Sequence, residues 1–166
     1  MSEAVEIRPA VMDDFPTLWP ILKETFRTGE SYPMDPDISR SEARHLWMEL
    51  PSATYLAEQE GRCLGTYYLK PNQAFLGAHV CNAGYMVAAH ARRRGIARRL
   101  CQHSIDEARR LGFLAMQFNL VVSTNTGALR LWQQMGFEIV GTLPRAFRHP
   151  RQGLVDAHVM YQWIAV

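Results

Sequence analysis

Apolar residues recur along the chain at two spacings, and each spacing predicts an element. Val5 to Arg8 reads as a short strand ended by Pro9. After Asp13 and Asp14, the residues Phe15, Leu18, Trp19 and Leu22 follow a helical period, and Pro16 suits a first helical turn. The stretch from Gly29 to Ser39, interrupted by Pro33 and Pro36, reads as a loop. Residues 40–49 form a second helical pattern with Pro51 beyond it, and Thr54–Gln59 and Cys63–Lys70 flank the turn Glu60-Gly61 as a hairpin. His79–Val87 is rich in strand formers. Ile96, Leu100, Ala108 and Leu111 then mark a helical face ended by Gly112. Leu114–Val122 is a mostly apolar strand, and Ala128, Leu129, Trp132 and Met135 mark a helix stopped by Gly136. Phe137–Val140 and Val155–Trp163 read as closing strands, with Arg145–Gln152 as a basic loop between them.

This succession predicts an α/β (α+β) chain, a sheet with helices packed on its faces. No repeat, low-complexity tract or flexible linker divides residues 1–166, which read as one domain. At 48% hydrophobic and 20% charged residues, disorder and collagen-like structure are excluded. No apolar run approaches the ~20 residues of a membrane-spanning helix, so no membrane partner is expected. The start, MSEAVEIRPA, carries acidic residues and no apolar leader core, which points to a cytoplasmic protein. Cys63, Cys81 and Cys101 are odd in number and lack metal-ligand spacing, so reduced thiols and no metal are expected. A net charge of +2 is too small to indicate nucleic acid. Basic residues do concentrate at Arg92-Arg93-Arg94 and Arg98-Arg99.

Arg92, Arg93 and Arg94 lie in Val87–Ala97, between a strand and an amphipathic helix. Gly95 and Ala97 let a ligand approach the backbone, the helix start offers free N–H groups, and the arginines can neutralise phosphate. The segment reads either as a pyrophosphate site or as an ordinary strand–helix connection with solvated arginines. The spacing Arg92-x-x-Gly95-x-Ala97 after Tyr85-Met86-Val87 resembles the acyl-CoA signature of the GNAT acetyltransferase superfamily. Asn125-x-x-Ala128-x-x-Leu131-Trp132-x-x-x-Gly136-Phe137 resembles its second motif, and the resemblance extends over residues 5–165. It implies acetyl-CoA as co-substrate and a mixed central sheet splayed at the acyl-CoA site, with helices on both faces. It also implies that the backbone of Met86 and Val87 pairs with the pantetheine arm. Arg92, Arg93, Arg94, Gly95, Ile96, Ala97 and Arg98 would cradle the pyrophosphate, and Asn125 and Trp132 would contact the cofactor. Asn125 has a second reading as a helix N-cap, and Trp132 one as a core aromatic.

Acetyl transfer to an amine needs a deprotonated nitrogen, donors for the oxyanion and a way for the CoA thiolate to leave. For the second, the resemblance implies a strand N–H near Met86 or Val87. For the third, many members of the superfamily use a tyrosine four residues before the Gly-Phe pair. Here that position is Trp132, whose indole N–H donates a hydrogen bond but no proton near neutral pH. Glu30, Asp35, His79 and Tyr85 are candidate bases, and Glu30 is also a candidate acceptor contact from the proline-containing loop.

Two asparagines stand out. Asn82 and Asn119 fall within strand patterns, where a buried amide costs about 1–3 kcal/mol unless hydrogen-bonded. Their partner is either a ligand or a neighbouring backbone group across the splay. Asn82-Ala-Gly-Tyr85, Phe118-Asn119-Leu120-Val121, Asn125 and Leu131-Trp132 resemble the L-azetidine-2-carboxylate acetyltransferase branch known from yeast. That likeness implies that Asn82, Asn119 and the Leu120 backbone hold an acceptor carboxylate while Tyr85 flanks its ring. The expected partner is thus a small amine or imino acid. Two other readings are acetylation of a protein N-terminus or lysine, and an acyl-CoA sensor without turnover. The family resemblance also raises a homodimer paired through Val155–Trp163.

Overall fold

The computed structural model describes residues 4–166; Met1–Glu3, part of the segment read above for a leader, lie outside the described residues. The elements are β1 (Glu6–Pro9), α1 (Phe15–Thr28), α2 (Arg40–Arg44), β2 (Ala53–Gln59), β3 (Arg62–Pro71) and β4 (Val80–Val87). There follow α3 (Ile96–Arg110), β5 (Ala115–Val122), α4 (Thr126–Gln134), β6 (Glu138–His149) and β7 (Gly153–Trp163). The strands form one sheet of order β1-β2-β3-β4-β5-β7-β6. Every neighbouring pair is antiparallel except β4 and β5, which run parallel. Glu60 and Gly61, both at positive φ, close the β2–β3 hairpin in the mirror-image turn that the strand twist favours.

Side chains alternate across β3 and assign the helices to faces. Tyr67 bonds His103 of α3, and Gly65 lies against Ile96 and Leu100 of the same helix. Thr66 and Tyr68 meet Trp47 on the opposite side. Thus α3 covers one face, while α1 and α2 cover the other. Ile96, Leu100, Ile105 and Ala108 of α3 are buried, but Leu111 follows the helix end and is exposed, against its place in the predicted apolar stripe. The helix expected over 40–49 continues beyond α2 as one π-type turn, His45–Glu49, in which Leu50 N–H bonds His45 O. This wider turn seats Trp47 in the core, where its Nε1 donates to Thr66 Oγ1 at 3.1 Å.

The last hairpin departs most from expectation. Arg145–His149, read as part of a loop, belongs to β6, and the chain turns only at Pro150–Gln152. β6 is mostly exposed and broken by bulges, so it lacks the alternation that marks a half-buried strand. Val155–Trp163, the strand raised for pairing between subunits, is bonded on both edges within the chain, by β5 and β6. The three cysteines are free and buried. Among the described residues, no helix is long and apolar enough to cross a membrane, and no cluster of His, Cys, Asp or Glu has metal-site geometry.

Candidate active site

The sheet opens where β4 and β5 part. They pair only at Val80–Ala115 and Cys81–Met116. Beyond these residues β4 stays with β3, and β5 stays with β7. Register decides which main-chain groups are left free. Asn72 N–H donates to Val80 O, and Ala88 N–H donates to Leu64 O. The even-numbered residues of β4 therefore exchange bonds with β3, and the odd-numbered ones turn their N–H and C=O groups the other way. Ala83, Tyr85 and Val87 present an open strand edge to the splay. Met86 does not, correcting the expectation that it pairs alongside Val87. Its carbonyl faces β3, 2.8 Å from where a Cβ on Gly65 would stand. The strand donors available to an oxyanion are those of Ala83, Tyr85 and Val87.

A cavity of ≈ 680 Å³ occupies the splay. Its α3–α4 side is aromatic. Tyr85 packs on Trp132 with ring centroids 4.9 Å apart, and Trp132 on Phe118 at 5.1 Å. The Tyr85 hydroxyl points away into the core, 2.6 Å from Ser104 Oγ, and burial pushes its pKa well above the ordinary tyrosine value. Tyr85 is therefore a wall of the cavity rather than an acid or base. It also lies on the face of β4 opposite Asn82, so the two do not meet one group from the same side.

The α1–α2 side carries the amides. Asn82 is buried, and its Nδ2 donates to Gln117 O across the splay at 3.0 Å, supplying a partner to a carbonyl that β4 no longer reaches. Its Oδ1 accepts from the Tyr68 hydroxyl at 3.3 Å. The costly amide thus finds the backbone partner that was one of its two readings. Asn119 is exposed, correcting its expected burial. Its Nδ2 donates to Asn72 Oδ1 at 2.6 Å, and its Oδ1 accepts from Gln117 Nε2 at 3.0 Å. Asn119 and Leu120 sit in a bulge of β5 and pair with neither neighbouring strand, and both line the cavity. Each asparagine Nδ2 retains a second hydrogen beyond the bond described.

At the strand–helix turn, Arg93 (φ 59°) and Gly95 (φ 74°) are left-handed on either side of Arg94. No side chain caps α3, so its first N–H groups remain available to an anion. Arg92, Arg93 and Ala97 line the cavity. Ile96 is buried in the core beside Gly65 and offers the turn only its main chain. Arg94 bonds Gln59 at 2.5 Å, and Arg98 bonds Gln134 at 2.5 Å and Met135 Sδ at 3.4 Å, and neither side chain lines the cavity. Asn125 lines the cavity and also caps α4, its Oδ1 accepting from Ala128 N–H at 3.4 Å.

None of the carboxylates or histidines expected as a base reaches the cavity. Glu30 pairs with Arg151 at the β6–β7 turn, Asp35 Oδ1 accepts from Asp37 N–H, and His79 is exposed just before β4. Among the described residues, the ionisable side chains lining the cavity are Tyr32, Tyr68, Tyr85, Arg92 and Arg93. Burial pushes the Tyr68 phenol up to about 12 and Tyr32 higher still, so both stay neutral. Sequence reasoning missed these two tyrosines. Tyr32 lies two residues beyond Glu30 in an irregular loop, and Tyr68 sits opposite Gly84, where a Cβ would come 2.6 Å from the tyrosine ring. The paired small and large positions were the available signal for Tyr68.

The acetyltransferase (GNAT) family profile matches residues 12–137. The chain is 30% identical over 164 residues to the N-acetyltransferase aca1 of Schizosaccharomyces pombe, covering 89% of this chain and 78% of that protein. Among solved structures it is similar to a GCN5-related N-acetyltransferase from Kribbella flavida, with a TM-score of 0.91 and 46% identity over 96% of this chain and 98% of that one. The structure of yncA from Salmonella typhimurium with its cofactor acetyl-CoA shares the fold at a TM-score of 0.83 and 22% identity, covering 99% of this chain and 96% of that one.

Proposed function

The chain belongs to the acetyltransferase (GNAT) family and is an acetyl-CoA-dependent N-acetyltransferase; from that premise we propose that its acceptor is a small amine or imino acid bearing a carboxylate. The observation that carries this reading is the composition of the α1–α2 side of the cavity. Asn82, Asn119 and the unpaired backbone at Leu120 offer neutral donors there, and no carboxylate lines the cavity among the described residues. Neutral donors suit an acceptor carboxylate, and a purely cationic acceptor finds no anionic partner among them. A proline analogue such as L-azetidine-2-carboxylate has the required pairing of a secondary amine with an adjacent carboxylate.

The open edge of β4 and the uncapped start of α3 fit the co-substrate. Val87 would exchange bonds with the pantetheine amides, the N–H groups of residues 93–97 would meet the pyrophosphate, and Tyr85 N–H would meet the thioester oxygen as charge develops on it. The acceptor nitrogen attacks the thioester carbon, the C–S bond breaks, and the sulfur leaves with the electron pair. Trp132 supplies an aromatic wall against Tyr85 and no transferable proton.

Release of CoA thiol from acetyl-CoA, followed across cyclic imino acids, polyamines, lysine and N-terminal peptides, tests the proposal. Turnover is expected with the imino acids. Asn82→Ala and Asn119→Ala are expected to lower kcat/KM by about 10- to 100-fold, the effect of losing one hydrogen bond to a charged group. Turnover with polyamines or peptides that ignores both substitutions would discard the carboxylate reading and move the acceptor to one of those classes.

A further inference from the structure

Tyr32 is the feature of the cavity that the family chemistry leaves without a role. Its hydroxyl donates to Tyr85 O at 2.7 Å. That carbonyl belongs to the open edge of β4, where the departure of β5 removed its strand partner. Tyr32 therefore reaches from the loop after α1 to one peptide unit beside the proposed thioester position. The ring packs edge-on to Phe26 at 5.7 Å and to Trp47 at 6.1 Å. Both of those side chains are buried.

A phenol has one hydrogen to give and two lone pairs. With its hydrogen committed to Tyr85 O, the Tyr32 oxygen can only accept from a group in the cavity. An acceptor amine approaching a thioester presents an N–H, and its nitrogen lone pair must point at the carbonyl carbon. Cavity N–H donors are supplied by the strand edge and the asparagines, and the groups that can accept from an N–H include the open-edge carbonyls of Ala83 and Val87 and the phenol oxygens. The Tyr32 oxygen is one, held at the residue whose own N–H faces the splay.

We propose that Tyr32 accepts a hydrogen bond from the attacking nitrogen of the acceptor and thereby aims its lone pair at the thioester. This rests on the reading of the α1–α2 side as the acceptor end, and not on the acceptor carrying a carboxylate. Tyr32 exchanges no proton. As the N–C bond forms and the C–S bond breaks, the proton lost by nitrogen passes to the departing CoA sulfur, directly or through water, giving the amide and the CoA thiol.

Tyr32→Phe keeps the ring and its packing on Phe26 and Trp47, and the released Tyr85 carbonyl faces a cavity that water can enter. The experiment compares wild type, Tyr32→Phe and Tyr55→Phe. Tyr55→Phe removes a hydroxyl bonded to Glu107 away from the cavity and serves as the control. Three quantities are measured: kcat/KM for the best acceptor, the calorimetric Kd for acetyl-CoA, and slow acetyl-CoA hydrolysis without an amine. Tyr32→Phe is expected to lose about 10- to 100-fold in acceptor kcat/KM, with Kd and hydrolysis within about twofold of wild type and Tyr55→Phe unchanged. Wild-type transfer by Tyr32→Phe, or equal losses in all three quantities, would overturn the role. The asparagine variants fail or hold independently: their indifference beside a Tyr32→Phe defect would reject the carboxylate and leave the nitrogen contact standing.

Discussion

The two edges of β4 are made of the same eight residues and do opposite things. Toward β3 the strand is paired from Cys81 to Val87 without a bulge, and small residues let the two strands close: Gly65 sits under the Met86 carbonyl, and Gly84 under the Tyr68 ring. Toward β5 the pairing stops after two residue pairs, and the exposed groups are taken over by side chains. Asn82 bonds Gln117 O, and Tyr32 bonds Tyr85 O. An unpaired backbone group in a protein interior is costly, and these two side chains satisfy two of the carbonyls that the splay leaves behind. The closed edge fixes which peptide groups the open edge displays.

Breaking the closed edge should therefore have the largest effect. In Gly65→Ala the new Cβ would meet a backbone oxygen at 2.8 Å and Leu100 Cδ1 at 3.0 Å, and the oxygen cannot swing aside. A cost of about 1–3 kcal/mol is expected, or about 2–10 °C in Tm, along with weaker acetyl-CoA binding because β4 is displaced. Thermal melts and calorimetry on one preparation would check both, and a variant that melted with wild type would show that the two edges are independent. Changes confined to the turn should act on binding alone. Arg93→Ala is expected to weaken acetyl-CoA binding by about 5- to 10-fold, and Arg94→Ala by less than about twofold, since Gln59 already holds Arg94 outside the cavity. Equal losses from the two would mean that Arg94 leaves Gln59 when the co-substrate arrives.

Much of this division was legible in the residues. The strand–turn–helix around Gly95 and the helix start at Asn125 are local patterns, fixed by spacing and turn residues, and both appear where the sequence places them. The partition of β4 was not legible. Whether Met86 or Val87 faces the splay depends on the register against β3, which is a tertiary fact and leaves no trace in the strand's own composition. Asn119 misled for a related reason: it shares a face with Gln117 but is exposed there, in a bulge at 119–120 that a period-2 reading does not show. Tyr32 comes from a loop without periodicity and is placed by Phe26 and Trp47, the latter held in the core through a π-type turn.

The last expectation concerns pH, where the open edge adds no titration of its own. Burial raises the phenols of Tyr32, Tyr68 and Tyr85, which favours the protonated form, so all three remain neutral between pH 7 and 10. With no carboxylate or histidine lining the cavity among the described residues, kcat/KM is expected to rise about tenfold per pH unit until it levels at the acceptor's own amine pKa. A second inflection that stayed in place when the acceptor was changed would reveal an enzyme base and break the contrast between a chemically neutral open edge and the charged turn beside it.

The burial of all three cysteines has a practical consequence. Desolvation pushes Cys63 up to about 11 and both Cys81 and Cys101 up to about 12, so the folded protein offers a thiol dye almost no reactive thiolate. Colour developed during turnover then belongs to the coenzyme, and alkylating agents should spare the native enzyme. The same dye becomes a clock for unfolding, because each molecule that opens adds its own sulfurs to the signal.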